Sequence, residues 1–195
     1  SVGFGGDVGL HPDSRWNNPE PEVVVVASSA GSIVGATLGN DVNLRDVEGR
    51  SSLLLGQAKD NNASAAIGPF IRLFDASFTL DDVCCLRVKL RIAGEDGFAL
   101  EGTSDMAKIS RSPGQLVAAA LGRHHQYPDG LALFLGTMCV PAVDRATPGC
   151  GFTHVVGDYV SISAAGLGNL VNRVRLCTEC PPWTYGVRAL MGDLA

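Results

Sequence analysis

The sequence predicts an α+β fold dominated by strands, with few and short helices. Three observations carry this reading. First, 46% of the 195 residues are apolar but only 6% are aromatic, with 24 glycines and 10 prolines. That composition suits short strands joined by tight turns, not a helical bundle or a disordered chain. Second, apolar or alternating runs of strand length recur between Gly, Pro, Asn and Asp turn signals. Third, only the stretch opening at Ser112 carries a full set of helix-start signals. No internal repeat and no Pro/Ser-rich linker breaks the chain, so residues 1–195 read as one domain able to bury its own core.

The elements follow in chain order. Residues 1–18 are Gly-rich and then polar, and read as loop with one short strand. Pro19 and Pro21 keep the segment Pro19-Glu20-Pro21-Glu22 extended and out of a regular ladder. Glu22 to Ser28 is a buried strand, Ala30-Gly31 a turn and Ser32 to Leu38 a second strand, so 22–38 is a hairpin. Gly39 to Arg50 opens with turn chemistry and is dense in charge, which leaves a solvated loop or a site. Ala65 to Leu73 is a loop leading into a strand. Asp81-Asp82 introduces a half-buried strand from Val83 to Ile92, in which Cys84, Leu86, Val88, Leu90 and Ile92 alternate with polar residues. Gly94 to Gly97 turns the chain and Phe98 to Thr103 returns. Ser112 caps the one clear helix, with Pro113 at its first position and Gln115 completing a capping box. That helix is expected to run to His124, where His124-His125 would complement its C-terminus. Leu131 to Leu135 is a core strand ending at Gly136-Thr137, and Tyr159 to Ser163 and Asn169 to Leu176 are strands. The tail from Pro181 reads as irregular.

Several classes of function fall away. The net charge is −5 with no basic cluster, which argues against nucleic acid as a partner. No apolar run reaches the roughly 18 residues of a membrane span. Ser1 to Gly6 has neither a basic nor an apolar leader region, and no methionine opens the chain, so it is expected to be a piece of something longer. The six cysteines read as reduced and structural in a cytoplasmic protein. Cys84-Cys85 are adjacent, and the lone spacing Cys177-Thr178-Glu179-Cys180 has no second pair for zinc. There is no GxSxG elbow, and Gly3 to Gly9 lacks the ending of a phosphate loop. His154 reads as structural.

The polar residues that stand out are Glu20, Glu22, Asp41 and Lys59, each beside a core strand. Residues i and i+2 of an extended segment point the same way, so Glu20 and Glu22 present two carboxylates on one face. Like charges held that close repel unless a cation lies between them. Three carboxylates suit a hard divalent ion such as Mg²⁺, Mn²⁺ or Ca²⁺. Lys59 is suited to an anionic substrate or a developing enolate. The plain alternatives stay open here: solvated acids ahead of a buried strand, an Asx-turn at Asp41, and a solvated loop lysine.

Taken together, these segments resemble the fumarylacetoacetate hydrolase family. The resemblance rests on Pro19-Glu20-Pro21-Glu22, Gly39-Asn40-Asp41-Val42 with Arg45-Asp46, Lys59 with Gly68-Pro69, Gly136-Thr137, and Val156-Gly157-Asp158 followed by Gly166-Leu167-Gly168-Asn169-Leu170. Their order covers nearly the whole chain. Asp46-Val47-Glu48-Gly49-Arg50 and Leu55-Gly56-Gln57-Ala58-Lys59 look closest to the 2-keto-3-deoxy-D-arabinonate dehydratase-like branch. The resemblance implies a mixed β-sandwich roll with few short helices, assembled as a homodimer or higher homo-oligomer. It implies Mg²⁺ (Mn²⁺ or Ca²⁺ in its place) held by Glu20, Glu22 and Asp41, with Lys59 as the catalytic residue beside it. It places Thr137 at the carboxylate of a 2-oxo acid, with Arg45, Gly68 and Pro69 as further substrate-binding residues. Dehydration of a 2-keto-3-deoxy sugar acid, hydrolytic C–C cleavage of a 2,4-dioxo acid and decarboxylation all share an enolate, so the site alone does not choose among them. One departure stands out. The family's lid, with its general acid/base, comes from upstream of the paired glutamates, and His11, Asp7 and Asp13 do not fit its pattern. The lid and an N-terminal domain are therefore expected on sequence ahead of Ser1; the alternative is a domain that binds metal and 2-oxo acid without full activity.

Overall fold

Stacking of two sheets organises the chain in the computed structural model, which describes residues 1–145 and 147–195. In chain order the elements are β1 Asp7–Leu10, β2 Asn17–Asn18, β3 Pro21–Ala27, β4 Ile33–Asp41, β5 Asn43–Leu44, α1 Arg45–Glu48, β6 Ala65–Leu73, α2 Leu80–Cys84, β7 Arg87–Ala93, β8 Ala99–Asp105, α3 Pro113–Ala120, β9 Leu131–Phe134, β10 Tyr159–Ala164, β11 Gly168–Leu176 and α4 Val187–Asp193. Short 3₁₀ turns at Ser52–Leu54 and Gln57–Lys59 lie between α1 and β6. One sheet has the order β6-β4-β3-β9 and the other β1-β11-β10-β7-β8, while β2 and β5 form a separate ribbon. β1 runs parallel to β11 and every other pair is antiparallel, so the five-stranded sheet is mixed.

The core lies between the two sheets. Val23, Val25, Ala36 and Leu38 of one meet Val88, Leu90, Ile92, Val160, Ile162, Leu170 and Val174 of the other. Alternation in β7 is clean: Val88, Leu90 and Ile92 are buried while Arg87, Lys89 and Arg91 are exposed. β3 is buried along almost its whole length, as its uninterrupted valines require of a central strand. Among the described residues no helix is long and apolar enough to cross a membrane.

The expected hairpin, the α3 capping box and the returning strand β8 are all present. Six details differ. The strand placed at Val83 to Ile92 starts only at Arg87, because Thr79 and Asp82 form a reciprocal capping box that winds Leu80–Cys84 into α2. The helix from Pro113 stops at Ala120, not His124: Gly122 and His125 form a tight bridge, and the His125 ring stacks on Tyr127. Pro21 does join the ladder, opposite Asn40, at the first strand position where proline is tolerated. The charged stretch from Gly39 is not loop: β4 runs on to Asp41, and β5 and α1 follow. Ala65 onward is strand from its first residue, and the tail winds into α4.

Candidate metal centre

The site forms where β3 begins and β4 ends. β3 pairs antiparallel with β4, setting Pro21 opposite Asn40 and Glu22 opposite Gly39. One step further out, the Asp41 N–H donates to the Glu20 carbonyl at 3.1 Å, so Glu20 and Asp41 face each other across the hairpin. Oxygen atoms of Glu20, Glu22 and Asp41 all lie within 4.8 Å of one another, and this is the one such cluster of His, Cys, Asp or Glu found among the described residues. Lys59 reaches in from its 3₁₀ turn. Its Nζ lies 2.7 Å from Glu20 Oε2 and 2.9 Å from Asp41 Oδ2, and donates to the Asp41 carbonyl at 3.0 Å. Glu22 is held from another side, where Gly136 N–H donates to its Oε2 at 2.6 Å. Gly136 has φ +90°, a conformation glycine adopts freely, and so turns its amide back onto β3 just past the end of β9.

Burial decides the electrostatics. Glu22 is only 3% exposed, and desolvation pushes its carboxyl up to about 8. The Gly136 amide opposes that rise; the charges of Asp41 and Glu20 add to it. Glu20 is raised as well, chiefly by burial and less by Asp41 and Glu48, against the pull of Lys59. Burial would lower Lys59, but the Glu20 and Asp41 carboxylates outweigh it and hold the ammonium charged. Three carboxylates thus meet one lysine. The donor set is all oxygen, one member is driven toward protonation chiefly by burial and further by its two carboxylate neighbours, and Lys59 already neutralises part of that charge. These residues fit a hard divalent cation.

The remaining expected site residues are spread more widely. Thr137 directly follows Gly136, and its hydroxyl closes a small turn, donating to the Cys139 carbonyl at 3.1 Å and accepting from the Cys139 N–H. Arg45 begins α1, with its guanidinium 4.3 Å above the Trp16 ring. Gly68-Pro69 is a cis peptide inside β6, not a loop. Gly68 pairs with Leu38 and accepts from the Thr37 hydroxyl, whereas Asp41 pairs with Ala65. The geometry therefore brings Glu20, Glu22, Asp41 and Lys59 together and leaves Gly68-Pro69 further along the sheet.

Two features were not read from the sequence. The Gly136 amide is backbone, and no residue type announces it. The second is a buried ion cluster behind β2: Arg145 donates to both carboxylate oxygens of Asp158, and His154 Nδ1 lies 3.0 Å from Asp158 Oδ2. His154 is structural, as expected; its backbone N–H donates to Asn17 Oδ1 at 3.2 Å. The six cysteines are all free.

A cluster of three carboxylates at the edge of a stacked β-roll is an all-oxygen donor set of the kind that suits a hard cation. The sequence profile of the fumarylacetoacetate (FAA) hydrolase C-terminal domain matches residues 18–175, and the chain belongs to the fumarylacetoacetate hydrolase family. It is 32% identical over 174 residues to 2-dehydro-3-deoxy-D-arabinonate dehydratase of Saccharolobus solfataricus, covering 89% of this chain and 55% of that protein. It is 32% identical over 170 residues to a probable 2-keto-3-deoxyxylonate dehydratase of Haloferax volcanii, covering 87% of this chain and 55% of the relative. Among solved structures it resembles 2-keto-3-deoxy-D-arabinonate dehydratase complexed with magnesium and 2,5-dioxopentanoate. There the TM-score is 0.76 at 32% identity, over 89% of this chain and 58% of the other. The chain thus spans little more than half the length of these relatives.

Proposed function

We propose that this chain is the catalytic domain of a Mg²⁺-dependent hydro-lyase that dehydrates a 2-keto-3-deoxy sugar acid. The observation that carries the reading is the convergence of Glu20, Glu22 and Asp41 with Lys59 bridging two of them. One relative at 32% identity is a 2-dehydro-3-deoxy-D-arabinonate dehydratase, a second is a probable 2-keto-3-deoxyxylonate dehydratase, and a solved relative holds magnesium with 2,5-dioxopentanoate.

Glu20, Glu22 and Asp41 would hold the cation, with Mn²⁺ or Ca²⁺ able to take the same oxygen ligands. When bound, it supplies Lewis-acid polarisation of the substrate's carboxylate and 2-oxo group. Lys59 keeps its proton because two carboxylates raise its pKa, so a fixed positive charge stands beside the oxygen that becomes negative when the C3 proton leaves. The Gly136 N–H holds Glu22 in place, and Thr137, next in the chain, is proposed to bind the substrate carboxylate. Loss of the C3 proton and the C4 hydroxyl is the net elimination of water. For a 2-keto-3-deoxypentonate, tautomerisation of the product then gives 2,5-dioxopentanoate. Arg45, Gly68 and Pro69 are proposed to shape the pocket at greater distance. From the family resemblance and the six free cysteines, the protein is proposed to work in the cytoplasm as a homodimer or higher homo-oligomer.

The test is conversion of 2-keto-3-deoxy-D-arabinonate and 2-keto-3-deoxy-D-xylonate by pure protein with and without Mg²⁺. Formation of 2,5-dioxopentanoate that requires Mg²⁺ supports the reading. Pyruvate release from a 2,4-dioxo acid with no semialdehyde from either sugar acid overturns it in favour of C–C hydrolysis. Binding of oxalate or pyruvate with no turnover of any of these overturns it in favour of a binding domain.

A further inference from the structure

We propose that Asn18 and Asn40 are positioning residues that clamp the peptide unit between Pro19 and Glu20, and so aim the Glu20 carboxylate at the cation. The inference rests on the metal reading above and concerns residues outside the ligand set.

The clamp is read from two hydrogen bonds. Asn18 Nδ2 donates to the Pro19 carbonyl at 2.9 Å. Asn40 Oδ1 accepts from the Glu20 N–H at 3.2 Å. That carbonyl and that N–H are the two ends of a single peptide plane, so one side-chain amide grips each end of its dipole. The amides come from separate elements: Asn18 from β2 in the small ribbon, and Asn40 from β4 in the four-stranded sheet. Both residues are 0% exposed.

Local structure leaves this peptide in need of such a hold. Pro19 and Glu20 lie between β2 and β3, outside both ladders. Prolines on either side fix φ at residues 19 and 21 but carry no N–H, so Glu20 supplies the only backbone donor of the three. Asp41 N–H holds the Glu20 carbonyl. Asn18 and Asn40 then fix the peptide on the other side of the same α-carbon. With both flanking peptides held, the Cα–Cβ direction of Glu20 is set before any cation arrives.

The unused halves of the two amides point the same way. Asn18 Oδ1 and Asn40 Nδ2 are buried without a partner. A buried amide with half its bonding unmade lowers stability, so packing alone selects an apolar side chain at such a site. What the amides provide instead is an acceptor facing an N–H and a donor facing a carbonyl, at the residue that must be aimed. Partners that orient metal ligands commonly change metal affinity by about 10- to 100-fold when removed.

The experiment uses two isosteric replacements that add the same charge but differ in hydrogen-bond polarity. Asn40→Asp keeps an acceptor facing the Glu20 N–H. Asn18→Asp sets an acceptor against the Pro19 carbonyl. Mn²⁺ affinity is measured by calorimetry, and exchange of the Glu20 amide by NMR in the metal-free protein. Expected is a loss of Mn²⁺ affinity of about 10- to 100-fold in Asn18→Asp, with Asn40→Asp within about threefold of the parent. Asn40→Ala should lose both Glu20 amide protection and affinity. Asn172→Ala is the control: Asn172 is 2% exposed and donates to the Gly3 and Gly6 carbonyls, and its loss should lower stability without moving affinity. Equal losses in the two Asp variants, or lost Glu20 protection with unchanged affinity, overturn the proposal while leaving the metal site standing. A parent protein that binds no Mn²⁺ overturns the metal reading and the proposal with it, even though Glu20 amide protection then persists.

Discussion

Lys59 Nζ sits 2.7 Å from Glu20 Oε2 and 2.9 Å from Asp41 Oδ2, so one ammonium bridges carboxylates from the two sides of the β3–β4 hairpin. The lysine takes up part of the charge and leaves the rest for a cation. Replacing it separates the two tasks. Lys59→Ala should retain Mn²⁺ binding, because Glu20, Glu22 and Asp41 remain, and should lose about 10²- to 10³-fold in kcat, the usual effect of removing one preorganised charge or donor. Calorimetry with Mn²⁺ beside steady-state rates on 2-keto-3-deoxypentonates checks both halves; loss of binding together with rate would make Lys59 part of the cation's own holding.

Glu22 predicts a specific pH dependence. Its folded carboxyl is raised to about 8 by burial, against a reference near 4.5. The metal-free folded state therefore keeps a proton that the unfolded chain releases above about 4.5. The resulting stability is fully present below that pH and is lost as pH rises through about 8. In chelator-containing buffer, the urea midpoint of the parent should fall from pH 5 to 8 relative to Glu22→Gln, which has no proton to lose. A cation must displace the same proton, so parent Mg²⁺ affinity should rise about tenfold per pH unit up to about pH 8. Glu22→Ala should abolish measurable binding; unchanged affinity in that variant would remove Glu22 from the site.

What the sequence made legible follows the range of the interactions. Glu20, Glu22 and Asp41 lie on one hairpin, and period-two geometry plus pairing brings them together with little help from the rest of the fold. Lys59 was legible through its place among ordered motifs. The α2 helix was misread because the alternation around Val83 resembles a strand, and the Thr79–Asp82 capping box precedes it by only a few residues. Gly68-Pro69 was read as loop because glycine and proline are turn residues, yet both lie inside β6, where Gly68 pairs with Leu38 and Pro69 falls at the irregularity in the β4–β6 register. The Gly136 amide and the Arg145–Asp158–His154 cluster depend on tertiary placement, and local patterns do not report that.

That cluster makes its own prediction. Asp158 is 1% exposed and serves Arg145, His154 and the Val155 N–H at once. Asp158→Asn leaves the buried Arg145 guanidinium with only Asp96, 3.0 Å away and half exposed, as a carboxylate partner, at a loss of about 3 kcal/mol. In a chain of this size that lowers Tm by about 6–12 °C, measurable by calorimetry. Burial holds the His154 pKa below its ordinary value, with Asp158 opposing and Arg145 reinforcing the shift. The unfolded chain therefore binds the proton first as pH falls below about 6.5, and stability is lost on that side. His154→Gln should remove this acid-side component, seen as a shallower difference in urea midpoint between pH 7 and 5. An identical slope in parent and variant would show that His154 carries none of it.

Gly39 ties the packing of the sheet to the site. It lies opposite Glu22, and a methyl group added there would come within 2.7 Å of Val24 Cγ2 and closer still to the Phe134 ring. Phe134 ends β9, two residues before the Gly136 amide that holds Glu22. Gly39→Ala should therefore cost about 1–3 kcal/mol through overpacking. It should also weaken Mn²⁺ binding several-fold as the displaced ring carries Gly136 with it. Gly56 supplies the contrast: its backbone is already helical at φ −63° and ψ −43°, and nothing lies within 4 Å of an added Cβ. Gly56→Ala should raise stability by about 0.4–1 kcal/mol by restricting the unfolded chain and leave affinity unchanged. Urea unfolding and calorimetry on the two variants side by side decide the matter. A Gly39→Ala protein with the parent's Mn²⁺ affinity would show that the Phe134–Gly136 segment adapts without disturbing Glu22.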